Sequence, residues 1–263
     1  MNLQETKNGL TYLSFPETLL CEVVHGFFTR KGGVSPIPYA SLNLSISTGD
    51  SREHIRQNRD LIFDAMERPN GSMFDVWQVH SDNVICSDKP RNIEEQPVKA
   101  DAIFTQNPQV TLLMRFADCV PIFLYDPMRK AIGIVHAGWQ GTIARIGREA
   151  VEAMGCQYGS NPADIHAGIG PSIGPDHYEI GEDVAKKVKT TFGADANFLL
   201  RQVDGKVLFD LWAANLLVLQ QVGLKHIQVS NVCTACNLHD WYSHRGEGGK
   251  TGRFGAVLSL KSS

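Results

Sequence analysis

Three short apolar runs follow one another closely in the middle of the chain. They span residues 110–116, 120–125 and 131–135, and each has the length of a strand. The first two are separated by only three residues, and Asp126-Pro127 bounds the second. Runs that are apolar at nearly every position are typical of strands covered on both faces. The sequence therefore predicts three buried, neighbouring strands, which excludes a purely helical bundle.

The hydrophobic period changes directly after the third run. Five apolar residues then lie at helical spacing, and Gly155 is predicted to end that helix. His136 is thereby placed in a strand-to-helix turn, 17 residues after Cys119, which precedes the second run. Either the two strands bring Cys119 and His136 to one place, or both are core residues. The residues on the helix face are Ile143, Ile146, Ala150, Val151 and Met154.

The rest of the chain alternates irregularly between helical and extended patterns. Residues 51–66, 182–192 and 210–222 are predicted helices, and residues 227–232 and 254–260 are predicted closing strands. This order indicates mixed α and β structure. With 263 residues, 43% of them apolar, and with no linker or repeat, the chain is expected to form one domain over residues 1–263.

Composition narrows the classes of partner. A formal net charge of −3 and the absence of a basic stripe give no reason to expect nucleic acid, so small molecules are favoured. No apolar stretch approaches the roughly 20 residues of a membrane span, and the first residues do not form a secretion signal. We expect a cytoplasmic protein whose six cysteines are thiols, metal ligands or core residues.

One thiolate and two imidazoles form a three-ligand zinc set that leaves a fourth position open. Cys119 and His136 are two candidates, and His80 in "WQVHSDNV" is the third, because it follows an apolar, strand-like run much as His136 does. His25 competes with His80. Spacing alone is a weak signal, and a buried Cys119 without a metal is the alternative, since free cysteine is often buried.

A second metal or redox candidate is the Cys233-Thr-Ala-Cys236 pair, with His239 nearby. A structural zinc site usually needs a second such pair, and the sequence has none. We therefore interpret this pair as structural or incidental.

Glycine and arginine suggest where an anion could bind. "GWQGT" precedes a helix predicted to start near Thr142, whose free N–H groups could hold a phosphate or carboxylate. The loop "SHRGEGGKTGRFG" adds Arg245, Lys250 and Arg253, and Arg30 could make a bidentate phosphate contact. An ordinary turn and an ordinary solvated hairpin are the alternatives.

Eight sequence blocks together resemble the multicopper polyphenol oxidase (laccase)-like family, now understood as zinc-containing purine nucleoside phosphorylases, which includes bacterial YfiH-type proteins and mammalian FAMIN. They occur in order over nearly the whole chain. The blocks are "GFFTRKGGVS…PYASLNLS", "WQVHSDNV", "ADAIFT", "ADCVPIFLYDP", "VHAGWQGT", "GPSIGPDHYEIGEDV", "DLWAANLLVLQQVGL" and "CTACNLHDWYSHRGEGGKTGRFGAVLSL".

The resemblance implies an α+β fold of mixed sheets flanked by helices, with Zn²⁺ bound by His80, Cys119 and His136. It also implies phosphorolysis of adenosine, inosine and methylthioadenosine, with adenosine deamination at the same site. Purine nucleosides and phosphate would be the partners. We expect Asp118 to move a proton, orient a ligand or cap a strand end. The substrate-binding candidates are Arg30, Asn43, Gln78 and Arg245.

Three residues depart from the family pattern and bear on substrate preference. Gln140 stands where arginine is frequent, Gly246 replaces the second arginine of an "S-x-R-R" block, and His177 replaces a frequent cysteine. Two other functions stay open. Cys119 could be the nucleophile of a cysteine hydrolase with His136 as its base, or the protein could bind a nucleotide or cell-wall precursor without turnover. Copper-dependent oxidation is disfavoured, because the nine histidines include no H-x-H pair.

Overall fold

The structure is a computed structural model that describes residues 1–261. Its strands, in chain order, are β1 (Asn2–Glu5), β2 (Thr11–Ser14), β3 (Val23–Phe28), β4 (Met73–Phe74), β5 (Val84–Cys86), β6 (Ala102–Thr105), β7 (Thr111–Phe116), β8 (Val120–Asp126), β9 (Ala131–Ala137), β10 (His166–Ile169), β11 (Glu179–Ile180), β12 (Leu200–Val203), β13 (Lys206–Phe209), β14 (His226–Val229) and β15 (Phe254–Leu260). The helices are α1 (Arg52–Ala65), α2 (Trp139–Ile143), α3 (Ile146–Tyr158), α4 (Glu182–Phe192), α5 (Ala196–Leu199) and α6 (Leu211–Gln221).

Two six-stranded sheets and one small sheet organise the chain. The first sheet has the order β1-β2-β3-β15-β7-β4, and the second has the order β14-β10-β8-β9-β6-β5. The third contains β11, β13 and β12. The architecture is α+β, as predicted, and the three apolar runs are the strands β7, β8 and β9.

The strands β8 and β9 are buried on both faces, which explains their unbroken apolar sequence. Along β8, Ile122 and Leu124 face a core shared with the helices α3 and α6, whereas Phe123 faces the first sheet. There the ring of Phe123 stacks on Phe27 of β3, with centroids 4.3 Å apart. Because side chains alternate along a strand, each of these strands belongs to two cores.

The prediction of one helix after His136 is wrong in two details. The segment forms two helices, because Arg145 takes a left-handed conformation (φ 59°) between α2 and α3. It also continues past Gly155, and Gly159, with φ 68°, forms its C-cap. The other three predicted helices are confirmed to within a residue or two, and Ser51 caps α1 by accepting the N–H of His54 at 3.1 Å.

Within residues 1–261, no helix is both long and apolar enough to cross a membrane. The cytoplasmic location stays a prediction. That residues 1–263 form one domain also stays a prediction.

A candidate metal centre

Three adjacent strands of the second sheet place polar residues at one edge. β8 and β9 are antiparallel, with Pro121 opposite His136, and β9 is also antiparallel to β6, with Val135 opposite Ala102. Continuing both registers by one or two residues sets Cys119 opposite Gly138 and Asp101 opposite His136. The N–H of His136 donates to the carbonyl of Asp101 at 2.7 Å.

His80 reaches the same edge from a loop. The prediction of a strand directly before His80 is wrong. β4 ends at Phe74, and Trp77, which is 47% exposed, makes only an isolated β-bridge. Instead, the carboxylate of Asp101 accepts the N–H groups of Val79, His80 and Ser81 at 3.2, 3.0 and 2.7 Å. These bonds hold His80 in a left-handed conformation, φ 61°.

Asp101 also fixes the second histidine. Its Oδ1 lies 2.8 Å from Nδ1 of His136, and the residue is fully buried. A carboxylate on one ring nitrogen orients the other nitrogen toward a metal, as is usual for zinc-bound histidine. Sequence reasoning did not select Asp101, although it lies in the family block "ADAIFT"; a lone buried aspartate has no local signal for this role.

The side chains of His80, Cys119 and His136 converge on one place, and their role as metal ligands stays a prediction. Each offers one ligand atom, and the three atoms lie within 4.8 Å of one another. Sγ of Cys119 is 3.8 Å from Nε2 of His80, and the two imidazole rings have centroids 4.9 Å apart. His80 is exposed, Cys119 is half-buried and His136 is buried, so the group opens on one side to solvent.

Gly138 closes the other side of this group. A Cβ on this residue would lie 2.9 Å from Sγ of Cys119, closer than real Cβ contacts, and at a tight 3.0 Å from Cδ2 of His80. Glycine therefore lets sulfur and imidazole approach the backbone between them. The donor set, the carboxylate behind His136 and this glycine all fit a divalent metal such as zinc, held by three ligands.

The charges at the centre favour a Cys119 thiolate beside a protonated His136, which would give up that proton on binding a metal. Burial raises the pKa of the Cys119 thiol, but His136 and His80 outweigh burial and lower it to about 6. Burial lowers the pKa of His136, whereas Cys119 and Asp101 raise it to about 9. The pKa of Asp101 falls to about 2, because its hydrogen bonds from His136 and Ser81 outweigh its burial. A metal or an electrophile would therefore meet a thiolate.

Asp118, next to Cys119, faces away from the three ligands toward the loop between β14 and β15. Its Oδ1 accepts the hydroxyls of Thr234 and Ser243, both at 2.7 Å, and its Oδ2 accepts the N–H of Arg245 at 2.6 Å. The residue is buried and left-handed, with φ 85°. These bonds tie the loop that contains Arg245 to the start of β8.

Three of the four predicted substrate-binding residues make several bonds within the protein. Asn43 is fully buried and bonds Asp50 and the N–H of Arg253. Gln78 pairs both its amide atoms with the backbone of Arg115. Arg30 donates to the carbonyl of Ala40 and to the carboxylate of Glu247, and its guanidinium stacks on the ring of Tyr242. The substrate-binding roles of Asn43, Gln78 and Arg30 stay predictions.

Arg245, the fourth predicted substrate-binding residue, is exposed, whereas Arg30 is half-buried. Among the described residues its guanidinium makes one hydrogen bond, from Nη1 to the carbonyl of Glu179 at 2.9 Å, and it stacks over the ring of Tyr178 at 5.1 Å. Arg253 is the second cation near the centre. Burial lowers its pKa, and the charges of Cys119 and Asp118 oppose that effect. Its Nη1 donates to the carbonyls of Thr251 and Gly252 at 3.2 and 2.8 Å.

The competing sequence candidates lie elsewhere. His25 accepts the N–H of Phe15 at 2.9 Å in the core between the sheets. His239 is 85% exposed beside Lys31 and Asp240 and does not join Cys233 and Cys236. The predicted anion site before Thr142 is also altered, because α2 begins at Trp139 and has only five residues.

Comparison with known proteins identifies the family. The model of the family described as "Multi-copper polyphenol oxidoreductase laccase" matches residues 24–261. The chain belongs to this family. Its relatives include the purine nucleoside phosphorylase YlmD of Bacillus subtilis, 37% identical over 249 residues, which are 91% of this chain and 89% of that protein. The purine nucleoside phosphorylase of Deinococcus radiodurans is 37% identical over 255 residues, 97% and 95% of the two chains.

Solved structures agree with the fold. YlmD from Geobacillus stearothermophilus superposes with a TM-score of 0.92 at 30% identity, covering 99% of both chains. The Bacillus licheniformis hypothetical protein YfiH superposes with a TM-score of 0.89 at 30% identity, covering 98% of this chain and 99% of that one. The predicted family and the α+β fold are thereby confirmed.

Proposed function

We propose that the protein is a zinc-dependent purine nucleoside phosphorylase. The convergence of His80, Cys119 and His136 on one open position carries this proposal. The names of relatives at 37% identity over more than nine-tenths of this chain support the reaction class. Zinc fits because one thiolate and two imidazoles are its usual ligands, and a three-ligand site leaves a position for a reactant.

The reaction breaks one bond and makes another at the sugar. A phosphate oxygen bonds to the anomeric carbon, the purine nitrogen leaves with the bonding electron pair, and the base takes up a proton. A zinc ion held here would act as a Lewis acid that stabilises developing negative charge. His136 and His80 stay oriented through Asp101, which keeps the open position at a fixed place.

Phosphate requires positive charge beside that position. Arg245 and Arg253 lie on the loop that Asp118 anchors, and Arg245 is exposed and makes one bond within the described residues. We assign phosphate binding to these two guanidinium groups, since charge-assisted bonds to arginine are strong and directional. Arg30 binds the same loop through Glu247 and would act by holding it in place.

Asp118 would act mainly as a positioning residue. Its three accepted hydrogen bonds occupy both carboxylate oxygens and connect Cys119 to the loop of Arg245. This arrangement favours the orienting role over the proton-transfer role that the sequence left open.

The decisive experiment measures free base from inosine, adenosine and methylthioadenosine, with and without phosphate. We expect phosphate-dependent release of base together with the sugar phosphate, and its loss in Cys119→Ala. The matched control is Cys156→Ala, which removes an exposed cysteine of α3 and should keep full activity. Release that does not need phosphate, or that survives Cys119→Ala, would refute the proposal.

Adenosine deamination is a second candidate reaction at this centre, because an open three-ligand metal can also activate water. It predicts that adenosine yields ammonia and inosine without phosphate. Ammonia release that persists after the metal is removed would exclude it.

The geometry also favours one metal-free alternative. Cys119, with a pKa lowered to about 6, and the adjacent His136 could form the nucleophile and base of a cysteine hydrolase. Metal analysis separates the two. A purified protein that lacks stoichiometric zinc, yet loses turnover when a thiol reagent labels Cys119, would support the hydrolase.

A further inference from the structure

A second group of potential ligands lies outside the centre described above. Asp176, His177, Cys233 and Cys236 each offer one ligand atom, and all four atoms lie within 4.8 Å of one another. Sγ of Cys236 is 3.6 Å and Sγ of Cys233 is 3.9 Å from Nδ1 of His177. Oδ1 of Asp176 is 3.0 Å from the same nitrogen. No residue is shared with the first centre.

The local backbone is shaped around the sulfur of Cys233. That sulfur accepts the N–H groups of Gly174 at 3.1 Å and of Cys236 at 3.4 Å. These two bonds fix the position of the sulfur beside His177 and Cys236. A Cβ on Gly174 would lie 2.9 Å from Oδ1 of Asp176 and 3.1 Å from Sγ of Cys233, so glycine permits this approach.

We propose that these four side chains bind a structural zinc ion. Two thiolates, one imidazole and one carboxylate complete a tetrahedral set, and a set with four protein ligands is typical of a structural site. Binding would release the two thiol protons to solvent. The ion would join two segments far apart in sequence, the loop at residues 174–177 and the turn at residues 233–236.

Both joined segments lead into the proposed catalytic centre. Thr234, next to Cys233, donates its hydroxyl to Asp118 at 2.7 Å. Tyr178, next to His177, lies beneath the guanidinium of Arg245. An ion at this place would therefore hold together the two segments that position Arg245. One segment bonds Asp118, which accepts the N–H of Arg245, and the other carries Tyr178, which stacks on its guanidinium. The site itself does not depend on the proposed phosphorylase activity.

The test counts zinc in the full-length protein after dialysis. We expect about two zinc ions per chain in the unmodified protein, about one in Cys119→Ser and about one in Cys236→Ser, with none in the double variant. Cys156→Ser is the matched control and should leave the count unchanged, because that exposed cysteine belongs to neither group. A Cys119→Ser protein that binds no zinc would overturn the proposal, whatever the activity of the unmodified enzyme.

Cobalt gives an independent readout. In the Cys119→Ser background, bound Co²⁺ should show near-ultraviolet thiolate absorption that falls in Cys236→Ser and in His177→Ala. His177 is exposed, so its removal leaves the core intact and serves if Cys236→Ser does not fold. The opposing result is a disulfide between Cys233 and Cys236. The protein, prepared without reductant, would then lack two free thiols, have a mass lower by two hydrogens and bind no metal at these residues. That result would identify the pair as a redox couple.

Discussion

At the scale of single residues, one carboxylate orients both histidines of the centre. Asp101 receives three consecutive backbone N–H groups of the His80 loop and bonds the ring of His136. Asp101→Asn keeps the shape but turns an amide N–H group toward donors or toward the imidazole. We expect metal affinity and kcat to fall about 10- to 100-fold, as for other residues that support metal ligands.

Chelator competition and initial rates measure this prediction. The control is Asp88→Asn, which changes an exposed carboxylate and should alter neither quantity. Unchanged zinc affinity in Asp101→Asn would show that the two histidines hold their positions without it.

Gly138 allows a second residue-scale test. Because an added Cβ would lie 2.9 Å from Sγ of Cys119, Gly138→Ala should lower zinc occupancy by at least tenfold. Gly71→Ala is the control, since a Cβ there meets nothing within 4 Å. Metal content and the thermal midpoint are both measured, so that loss of zinc is distinguished from loss of stability. Full zinc occupancy in Gly138→Ala would contradict the proposed ligand geometry.

At the scale of elements, the strands β8 and β9 hold the centre because they are packed from both sides. Phe123 of β8 stacks on Phe27 across the two sheets. We expect Phe123→Ala to lower the free energy of unfolding by about 3–5 kcal/mol, from lost burial and the cavity left behind. Phe198→Ala, at a 59% exposed position, should change it by less than about 0.5 kcal/mol. Urea unfolding of both variants measures the difference.

Sequence patterns predicted these strands because double-sided burial leaves a continuous apolar run. They failed where single residues take unusual backbone conformations. Arg145 breaks the helix after β9 with φ 59°, and His80 lies in a loop with φ 61°, and neither residue type signals this. Residue types and strand-like context made the triad a weak candidate, and the family resemblance strengthened it. Asp101 and the pairing of His177 with Cys233 depend on contacts between residues distant in the chain.

At the scale of the whole molecule, Asp75 connects three distant segments. The buried carboxylate forms ion pairs with Arg91, in the segment between β5 and β6, and with Arg115 of β7. Burial raises the pKa of Asp75, but the two guanidinium groups outweigh burial and hold it below its usual value. A lowered pKa in the folded state means that the carboxylate stabilises the fold above its unfolded pKa, and that this contribution is lost as pH falls through the folded pKa.

Asp75→Asn should therefore destabilise the protein by about 3 kcal/mol at neutral pH, because two partly buried arginines lose their counter-ion. The difference from the unmodified protein should shrink below about pH 4, where the unfolded carboxyl is protonated. Denaturation measured across this range gives both curves. A difference independent of pH would mean that packing, and not charge, explains the loss.

The order of strands in the first sheet has a consequence for synthesis. β15, the last of the described strands, lies between β3 and β7, and Arg253 directly precedes it. A growing chain on the ribosome therefore carries β3 and β7 as unpaired edges until residue 260 has emerged. The proposed catalysis and protection from aggregation should begin together, once translation has passed this strand.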